Sequence, residues 1–465
     1  MDFRKTTVQE IAAKVKSREL SAAEVTQAAL DNIERLNPIY NAFCSVQPEL
    51  ALAAAQRLDD KIASGGDPGP LAGVPLGVKD LEDAADYVTT YGSALHVDDE
   101  AATGDSILVS RLCAAGCIVL GKTNTPEFGY KGQTDNIPFG PSRNPFNTDR
   151  TPGGSSGGTS AALAAGMIPL GTGSDGGGSI RIPSAVCGLS GIKTSQGRVP
   201  CGGVRPTGSG ILTVKGPMAN TTAETLVALD ACMGDDQTDI FGLPGYEASL
   251  ESSVIEASAP YQVIWSPTMG FANVDTEIAE ICEQAIQRIA SQGTNVVVRD
   301  AIWEKDPVME WLAFWTSARA RAQGDLIGTA DWEKIDPGLR PQIEMGMNVT
   351  GVQYANAIDA CHTLNYALEK TFAEAPIIIT PAVSGHTPGV TGGGFVNGEE
   401  TPGWVGFTYG INMTRNPAGV VPVGMTKDGM PVALQFIGRQ RDDATVLTMM
   451  LAAEKLFERP MAEVA

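Results

Sequence analysis

Histidine is scarce in this sequence, with three residues in 465: His96, His362 and His386. Histidine is the commonest metal ligand and the most frequent general base, so this scarcity argues against a multi-histidine metal centre. No HExxH pattern and no cluster of histidine, cysteine and acidic residues predicts a metal site. We therefore expect neither a metal nor a cofactor. Only His386, in a loop rich in glycine and proline, is a candidate general base.

Positive charge and long apolar runs are also lacking. Lysine and arginine number 33 against 54 aspartates and glutamates, which gives a net charge of −21. Nucleic acids are bound through basic surfaces, so the excess of acid argues against a nucleic-acid partner. No apolar run reaches the roughly 18 residues that a membrane span requires, and we expect no membrane association.

Secretion signals and disulfide patterns are missing as well. The first 20 residues contain no apolar segment of the kind found in a signal peptide. The eight cysteines are dispersed through apolar surroundings and lack the density of a disulfide scaffold. We predict buried free thiols in a reducing compartment, and we expect the protein in the cytoplasm.

What is abundant is apolar sequence in short, regularly placed segments. Apolar residues make up 43% of the chain, enough for a substantial core. Glycine-bounded apolar runs at 73–80 and 115–123 predict buried strands, and 105–116 between them predicts a helix. Segments 261–300 and 432–458 repeat the alternation of strand and helix. The alternation predicts an α/β fold with helices on both faces of a mostly buried sheet.

The chain shows no obvious division. Neither an internal repeat nor a long low-complexity linker separates two halves, and we predict a single domain over residues 1–465. A helical excursion is expected at about 300–370, and the glycine-rich stretch 385–410 is interpreted as a binding loop. Near the start, Ser21 and Glu24 have the spacing of a helix capping box, and Pro38 is expected to end that helix.

Three short motifs match the sequence without their required surroundings. "GCIVLGKT" at 116–123 fits the P-loop pattern, but its middle residues suit a strand interior and no helix follows. "GTGSDG" at 171–176 fits the dinucleotide fingerprint but lacks the helix and the later acidic residue. "GSSGG" at 154–158 fits a nucleophile elbow centred on Ser156, although a loop precedes it. An esterase that uses Ser156 and His386 stays open as an alternative.

A combination of three residues is more informative than any of these motifs. Lys79 ends the strand "GVPLGVKD", Ser155 lies in "NPFNTDRTPGGSSGG", and Ser179 lies in "GSDGGGSIRIPSAVCGLSGIK". With "GKTNTPEF" and the carboxyl-terminal "NPAGVVPVG", these segments give the chain its resemblance to the amidase signature family of serine hydrolases. The resemblance covers nearly the whole chain and is densest at about 70–200. It implies a large mixed β-sheet core covered by helices on both faces.

The resemblance also implies a Ser–cis-Ser–Lys triad. Ser179 is then the nucleophile, and Ser155, preceded by a cis peptide bond, passes the proton of Ser179 towards Lys79. Lys79 must be neutral to accept it, so the site must lower the lysine pKa from about 10.4 to the neutral range. Burial can do this, and the apolar run that leads into Lys79 agrees with a buried side chain.

Amide hydrolysis further needs hydrogen-bond donors for the oxyanion of the tetrahedral intermediate. Three consecutive glycines allow several backbone N–H groups to converge on one oxygen, and we predict that Gly176, Gly177 and Gly178 form this oxyanion hole. Supporting roles are expected for Ser156, which adjoins the relay, and for Asp175 and Arg181. Asp175 and Arg181 are expected to form an ion pair that braces the segment between them, which carries Ser179 and is called the nucleophile loop below.

The reaction predicted from these residues is the hydrolysis of a small linear or aryl amide, with carbamates and esters as further candidates. The same resemblance leaves a second function open, the glutamine-hydrolysing subunit of a tRNA-dependent amidotransferase, which needs partner subunits. We expect a small-molecule amide as the binding partner, and a homodimer stays open. The pocket is predicted between Glu127–Gln133 and the loop 385–410, with its aromatic residues Phe395, Trp404 and Phe407.

Overall fold

Helices and strands alternate along most of the chain in the computed structural model, which describes residues 1–203, 210–246 and 248–464. The helices are α1 Val8–Lys16, α2 Ala22–Tyr40, α3 Pro48–Ala63, α4 Ile107–Ala114, α5 Gly157–Ala164, α6 Arg181–Val186, α7 Thr222–Cys232, α8 Leu250–Glu256, α9 Thr276–Ser291, α10 Val308–Gln323, α11 Arg340–Met347, α12 Gly351–Phe372, α13 Tyr409–Thr414 and α14 Asp443–Leu456. The strands are β1 Phe43–Val46, β2 Pro75–Lys79, β3 Ile118–Thr123, β4 Leu170–Asp175, β5 Gly191–Lys193, β6 Val214–Ala219, β7 Gln262–Trp265, β8 Asn295–Val298, β9 Ile377–Pro381, β10 Phe395–Val396, β11 Glu399–Glu400, β12 Ala418–Met425 and β13 Pro431–Gly438.

The strands form two mixed sheets and a small hairpin. One sheet has five strands in the order β1-β3-β2-β4-β6, and the other has six in the order β5-β12-β13-β9-β7-β8. In the first sheet β2 runs parallel to both β3 and β4, while β1 and β6 are antiparallel edges. The sheets meet where β5 lies against β6. The predicted α/β class with a mixed sheet core is confirmed, and the hydrogen-bonded ladders divide that core in two.

The predicted strands around 73–80 and 115–123 are β2 and β3. They pair in parallel, and Lys79 at the end of β2 lies opposite Thr123 at the end of β3. Helix α4 lies in the crossover connection that two parallel neighbours require. Helix α5 packs on β2 and β4, and α9 and α14 pack on β12 and β13. Every residue of β2 and β4 is buried.

The predicted capping box at the start of α2 is confirmed. Ser21 Oγ accepts from the Glu24 N–H at 3.1 Å, and Glu24 Oε2 accepts from the Ser21 N–H at 2.8 Å. The prediction that Pro38 ends this helix is wrong by two residues. Pro38 lies inside the last turn, and the helix ends at Tyr40 because Asn41 adopts the left-handed conformation.

One apolar cluster runs through both sheets. It contains Leu76 and Leu120 from the five-stranded sheet and Ile379 and Leu434 from the six-stranded sheet.

Residues from about 300 to 372 carry α10, α11 and α12 and no strand. Within the described ranges, no helix combines the length and the apolar character needed to cross a membrane.

Helix α5 approaches β3 very closely at Gly158. A Cβ atom added there would lie 2.3 Å from the Asn124 backbone nitrogen and 2.5 Å from the Ala42 carbonyl oxygen. Both neighbours are backbone atoms, so neither can move aside as a flexible side chain could. Only glycine allows the helix that follows Ser155 to sit this deeply against the sheet.

Replacing Gly158 with alanine is expected to destabilise the fold by about 1–3 kcal/mol, because the extra methyl group pushes α5 away from the sheet. The midpoints of thermal and urea unfolding measure this loss. Gly351→Ala is the matched control, since Gly351 begins α12 and a Cβ there meets nothing within 4 Å. Equal unfolding midpoints for the two variants would contradict the close-approach argument.

Candidate active site

The ends of β2 and β4 and the turn before α5 bring the predicted lysine and three serine hydroxyls together. Lys79 is 0% exposed, and its Nζ lies 2.7 Å from Ser155 Oγ, 2.9 Å from Ser156 Oγ and 3.0 Å from Ser174 Oγ. The Lys79 backbone N–H donates to Thr172 Oγ1 on β4, which fixes the strand end. Ser174 was not predicted. Its position on β4, two residues beyond Thr172, places it on the same side of the strand.

Burial dominates the electrostatics of Lys79. It lowers the lysine pKa to about 7, against the opposing effect of the carboxylates of Glu82 and Asp175, while the charge of Arg319 lowers it further. In the part of the chain that the structure describes, no acidic side chain forms an ion pair with Lys79. A lysine bonded to hydroxyls alone can be neutral near pH 7, as a proton acceptor must be.

The adjacent acid, Asp80, faces away from this cluster. Its Oδ1 lies 3.5 Å from Lys122 Nζ, and Asp80 also accepts hydrogen bonds from the side chain and N–H of Thr90. Successive residues of a strand point to opposite faces, so Lys79 and Asp80 belong to separate environments. The strand geometry therefore prevents the Asp80 carboxylate from pairing with the Lys79 amine.

The two serine loops are joined through their backbones. The Gly154–Ser155 peptide bond is cis, as the resemblance implied. The Ser156 N–H donates to the Ser179 carbonyl oxygen at 3.2 Å, and Ser179 itself is 8% exposed. No hydrogen bond between Ser155 Oγ and Ser179 Oγ occurs among the described residues. Such contacts are often long in enzymes without substrate.

Asp175 and Arg181 form the predicted ion pair across the nucleophile loop. Both are fully buried, and the Arg181 Nε and Nη2 atoms each lie 2.9 Å from an Asp175 carboxylate oxygen. Burial alone would raise the pKa of Asp175, but the Arg181 guanidinium outweighs it and holds that pKa well below its usual range. Arg181 also donates to Gln435 Oε1, Asn412 Oδ1 and the Thr408 carbonyl oxygen. The pair thus ties the loop to β13 and α13.

The donor set of the predicted oxyanion hole needs one correction. The Gly178 N–H donates to Asp175 Oδ1 at 2.7 Å and so is not free for a ligand. Gly178 has φ +125°, and a Cβ there would lie 2.5 Å from Ile182 Cδ1 and Thr408 Oγ1, so its contribution is to the shape of the loop. The N–H groups of Gly176, Gly177 and Ser179 make no hydrogen bond to any described residue.

Two residues that the sequence analysis missed hold the glycine loop from the other side. Trp311 Nε1, on α10, donates to the Gly176 carbonyl oxygen at 3.0 Å, and Thr408 Oγ1 donates to the Gly177 carbonyl oxygen at 2.6 Å. A trans peptide is planar, with C=O and N–H on opposite sides. Trp311 therefore directs the Gly177 N–H away from α10, and Thr408 directs the Gly178 N–H towards Asp175. The pair of tryptophans in α10 was a visible signal, but nothing local linked it to this loop.

The histidines take no part in this cluster. His386 Nε2 lies 3.2 Å from Asp275 Oδ1 and 3.6 Å from Glu277 Oε2, whereas Ser156 Oγ accepts from Lys79. His96 contacts Asp99, and His362 is exposed on α12. Among the described residues no hydrogen bond joins Ser156 to His386, so the Ser156–His386 alternative lacks its defining contact.

The three aromatic residues that were predicted to line the pocket lie in different environments. Trp404 lies beside the segment Glu127–Gln133, since a Cβ on Gly132 would be 3.6 Å from Trp404 Cζ2. Phe407 belongs to an apolar cluster of the six-stranded sheet, and Phe395 is largely exposed on the short hairpin. Among the described residues, no group of three or more histidine, cysteine or acidic side chains could hold a metal ion.

The chain is similar in sequence and in fold to known proteins. A sequence model of the amidase family matches residues 24–447. The chain is 35% identical over 477 residues to an acylamidase of Rhodococcus erythropolis, covering 98% of this chain and 95% of the relative. It is 41% identical over 470 residues to a glutamyl-tRNA(Gln) amidotransferase subunit of Methylococcus capsulatus, covering 93% of each. A solved bacterial aryl acylamidase of the amidase signature family superposes with a TM-score of 0.90 at 28% identity, covering 97% of this chain and 96% of that one.

Fold, lysine–serine cluster and relatives together define a hydrolase of carbon–nitrogen bonds other than peptide bonds. The chain belongs to the amidase signature family.

Replacing Trp311 with phenylalanine is expected to lower kcat roughly five- to tenfold while KM changes little. The ring stays, but the hydrogen bond that orients the Gly177 peptide is lost, and a net hydrogen bond is worth about 1 kcal/mol. Steady-state kinetics on a simple anilide measure the split. Trp315→Phe is the control, because Trp315 Nε1 donates to Gln342 and not to the loop. Equal losses in the two variants would refute an orienting role for Trp311.

Proposed function

We propose that this protein is a cofactor-independent amidohydrolase that cleaves small linear or aryl amides through an acyl-enzyme on Ser179. The observation that carries this proposal is the buried Lys79 Nζ, 2.7 Å from Ser155 Oγ and bonded to hydroxyls, with no carboxylate partner among the described residues. A buried neutral amine next to a serine relay is suited to activating an alcohol, and it has no evident structural purpose.

In the first half of the reaction, Ser179 Oγ attacks the amide carbon. The proton of Ser179 passes to Ser155 Oγ as Ser155 gives its own proton to Lys79 Nζ, so Lys79 becomes charged. The oxyanion of the tetrahedral intermediate accepts hydrogen bonds from the free N–H groups of Gly177 and Ser179, with Gly176 adjacent. Each such donor is typically worth about 2.7–4 kcal/mol of transition-state stabilisation.

In the second half, the C–N bond breaks as the nitrogen takes a proton from Ser155, which recovers one from Lys79. The amine leaves and Ser179 remains as an ester. Water then attacks this ester by the same relay, giving the carboxylic acid and the free serine. The steps need no redox partner, and the protons balance within Lys79, Ser155 and Ser179.

The relatives and the aromatic lining together support an aryl or apolar acyl amide as substrate. The acylamidase and aryl acylamidase names point to amides with an aromatic or acyl group. Trp404 beside Gly132 and Trp311 beside Gly177 offer flat apolar surfaces near the serines. Carbamates and esters present the same electrophilic carbon and remain candidates.

The eight free cysteines support a location in the cytoplasm, and a homodimer stays a prediction.

The identity to an amidotransferase component favours one second candidate, hydrolysis of glutamine to supply ammonia to a partner. This function would show as glutaminase activity that depends on partner subunits. Hydrolysis of anilides by the purified chain alone, with no activity on glutamine, would decide in favour of the amidohydrolase.

Ser179→Ala is expected to abolish amide hydrolysis, at least about a thousandfold, with unchanged thermal stability, because the nucleophile is lost without a change in packing. A fluorophosphonate probe should label wild type at Ser179 and leave the variant unlabelled. Ser184→Ala removes a buried hydroxyl with no partner among described residues and serves as control. Hydrolysis by Ser179→Ala at the wild-type rate would rule out the acyl-enzyme on this residue.

The rate should rise with pH as Lys79 loses its proton. Burial lowers its pKa to about 7, so the neutral amine is scarce below that pH and dominant above it. The expected profile of kcat/KM climbs tenfold per pH unit below about 7 and levels off above it. His386→Ala should keep the same midpoint, which separates the lysine from the histidine. A flat profile from pH 5 to 9 would contradict a neutral-lysine base.

A further inference from the structure

Helix α10 presents three side chains on one face, at Trp311, Trp315 and Arg319. Residues four apart share a helix face, and these three form a continuous stack. The Trp311 and Trp315 ring centroids are 4.9 Å apart, and the Arg319 Cζ lies 4.4 Å from the Trp315 centroid. One end of the stack bonds the nucleophile loop through Trp311. The other end bonds the turn after β3, where Arg319 Nη1 donates to the Phe128 carbonyl oxygen at 2.9 Å.

Arg319 is a buried cation without a counter-ion. It is 6% exposed, and across the described ranges it forms no ion pair with an acidic side chain. Its Nε is buried and has no acceptor, and Nη2 likewise donates to no described residue. The other deeply buried arginines are satisfied differently: Arg181 pairs with Asp175 and Arg198 with Asp443. Buried charges in proteins are ordinarily paired, so the free edge of Arg319 calls for an anion.

The guanidinium borders the lysine–serine cluster. Its partner Phe128 precedes Gly129, where a Cβ would lie 3.1 Å from Ser155 Oγ. The positive charge of Arg319 is close enough to lower the pKa of Lys79. Phe128 has φ +50°, a conformation rare for an aromatic residue, which turns its carbonyl oxygen to meet Arg319.

We propose that Arg319 binds a carboxylate of the substrate, so that this enzyme prefers amides that carry a negative charge near the scissile bond. The Nε–Nη2 edge of a guanidinium matches the two oxygens of a carboxylate. Stacking on Trp315 holds the guanidinium plane in a fixed orientation. The inference rests on the proposed amidohydrolase function and adds the substrate class to it. In a chain of net charge −21, a local cation is what allows an anionic substrate to approach.

The test compares amides that differ by one charge and little else. One pair carries the charge on the amine side, 4-acetamidobenzoate against 4-acetamidobenzamide. The other carries it on the acyl side, succinanilate against its terminal amide. Acetanilide reports the basal reaction. Wild type is expected to prefer the charged member of at least one pair, and that pair identifies the side on which Arg319 acts.

Arg319→Gln should lower the ratio of kcat/KM for the preferred charged amide to kcat/KM for its neutral partner by about ten- to a hundredfold, with both amides measured at the same pH. Arg319→Lys should recover part of the loss. Arg321→Gln removes a nearby exposed charge from the same helix and should keep the ratio within about twofold of wild type. Preference of wild type for the neutral member in both pairs would overturn the proposal. An equal loss of kcat/KM for the charged and the neutral amide in Arg319→Gln would also overturn the proposal. That result is expected if Arg319 only braces the Phe128 turn.

A binding measurement separates this proposal from the proposed function. If acetanilide and all four paired amides are left uncleaved, the amidohydrolase proposal fails, and calorimetry still decides the carboxylate site. The probes are 4-aminobenzoate and succinate, each compared with its amide. Tighter binding of at least one carboxylate to wild type, lost in Arg319→Gln, supports the site. Equal binding of acid and amide for both probes, or binding that is unchanged in the variant, overturns it.

Discussion

The burial of one amine without a counter-ion is the constraint on which the rest of this site depends. Lys79 is fully enclosed at the end of β2, and its Nζ meets three hydroxyls. Lowering its pKa from 10.5 to about 7 corresponds to roughly 5 kcal/mol of destabilised charge. Because successive side chains of a strand alternate between its faces, the neighbouring Asp80 points towards Lys122 on the opposite face and does not pair with Lys79. A carboxylate beside Lys79 would keep the amine charged and unable to take a proton.

The nucleophile loop also contains buried charges, but here, in contrast to Lys79, each charge has a partner of opposite sign. Asp175 and Arg181 are paired completely, and their remaining hydrogen-bonding groups contact Gln435 and Asn412. Asp175 ends a strand of the five-stranded sheet, whereas Gln435 belongs to the six-stranded sheet. The pair therefore fixes the loop between the two sheets. Its value lies in defining one loop geometry, since a buried ion pair often adds little net stability.

Helix α10 connects the glycine loop to the turn after β3. Trp311 orients a peptide of the glycine loop, and Arg319 offers an unpaired charge at the opposite end of the same stack. On the proposed mechanism, the core sheets provide the nucleophile and base, while α10 holds the glycine loop from the other side.

The sequence by itself determined whatever depends on near neighbours or on short patterns. Strands bounded by glycine, the capping box at Ser21, the lysine at a strand end and the pairing of Asp175 with Arg181 across five intervening residues all follow from local rules. Only the tertiary structure decided that Ser174 joins the lysine cluster, that Trp311 and Thr408 hold the glycine loop, and that Gly178 donates to Asp175. Trp311 is 135 residues from its partner Gly176, and no periodicity or spacing encodes a contact between segments so far apart. Such contacts exist because the whole chain packs its apolar faces together, and the direction of each N–H group is fixed only then.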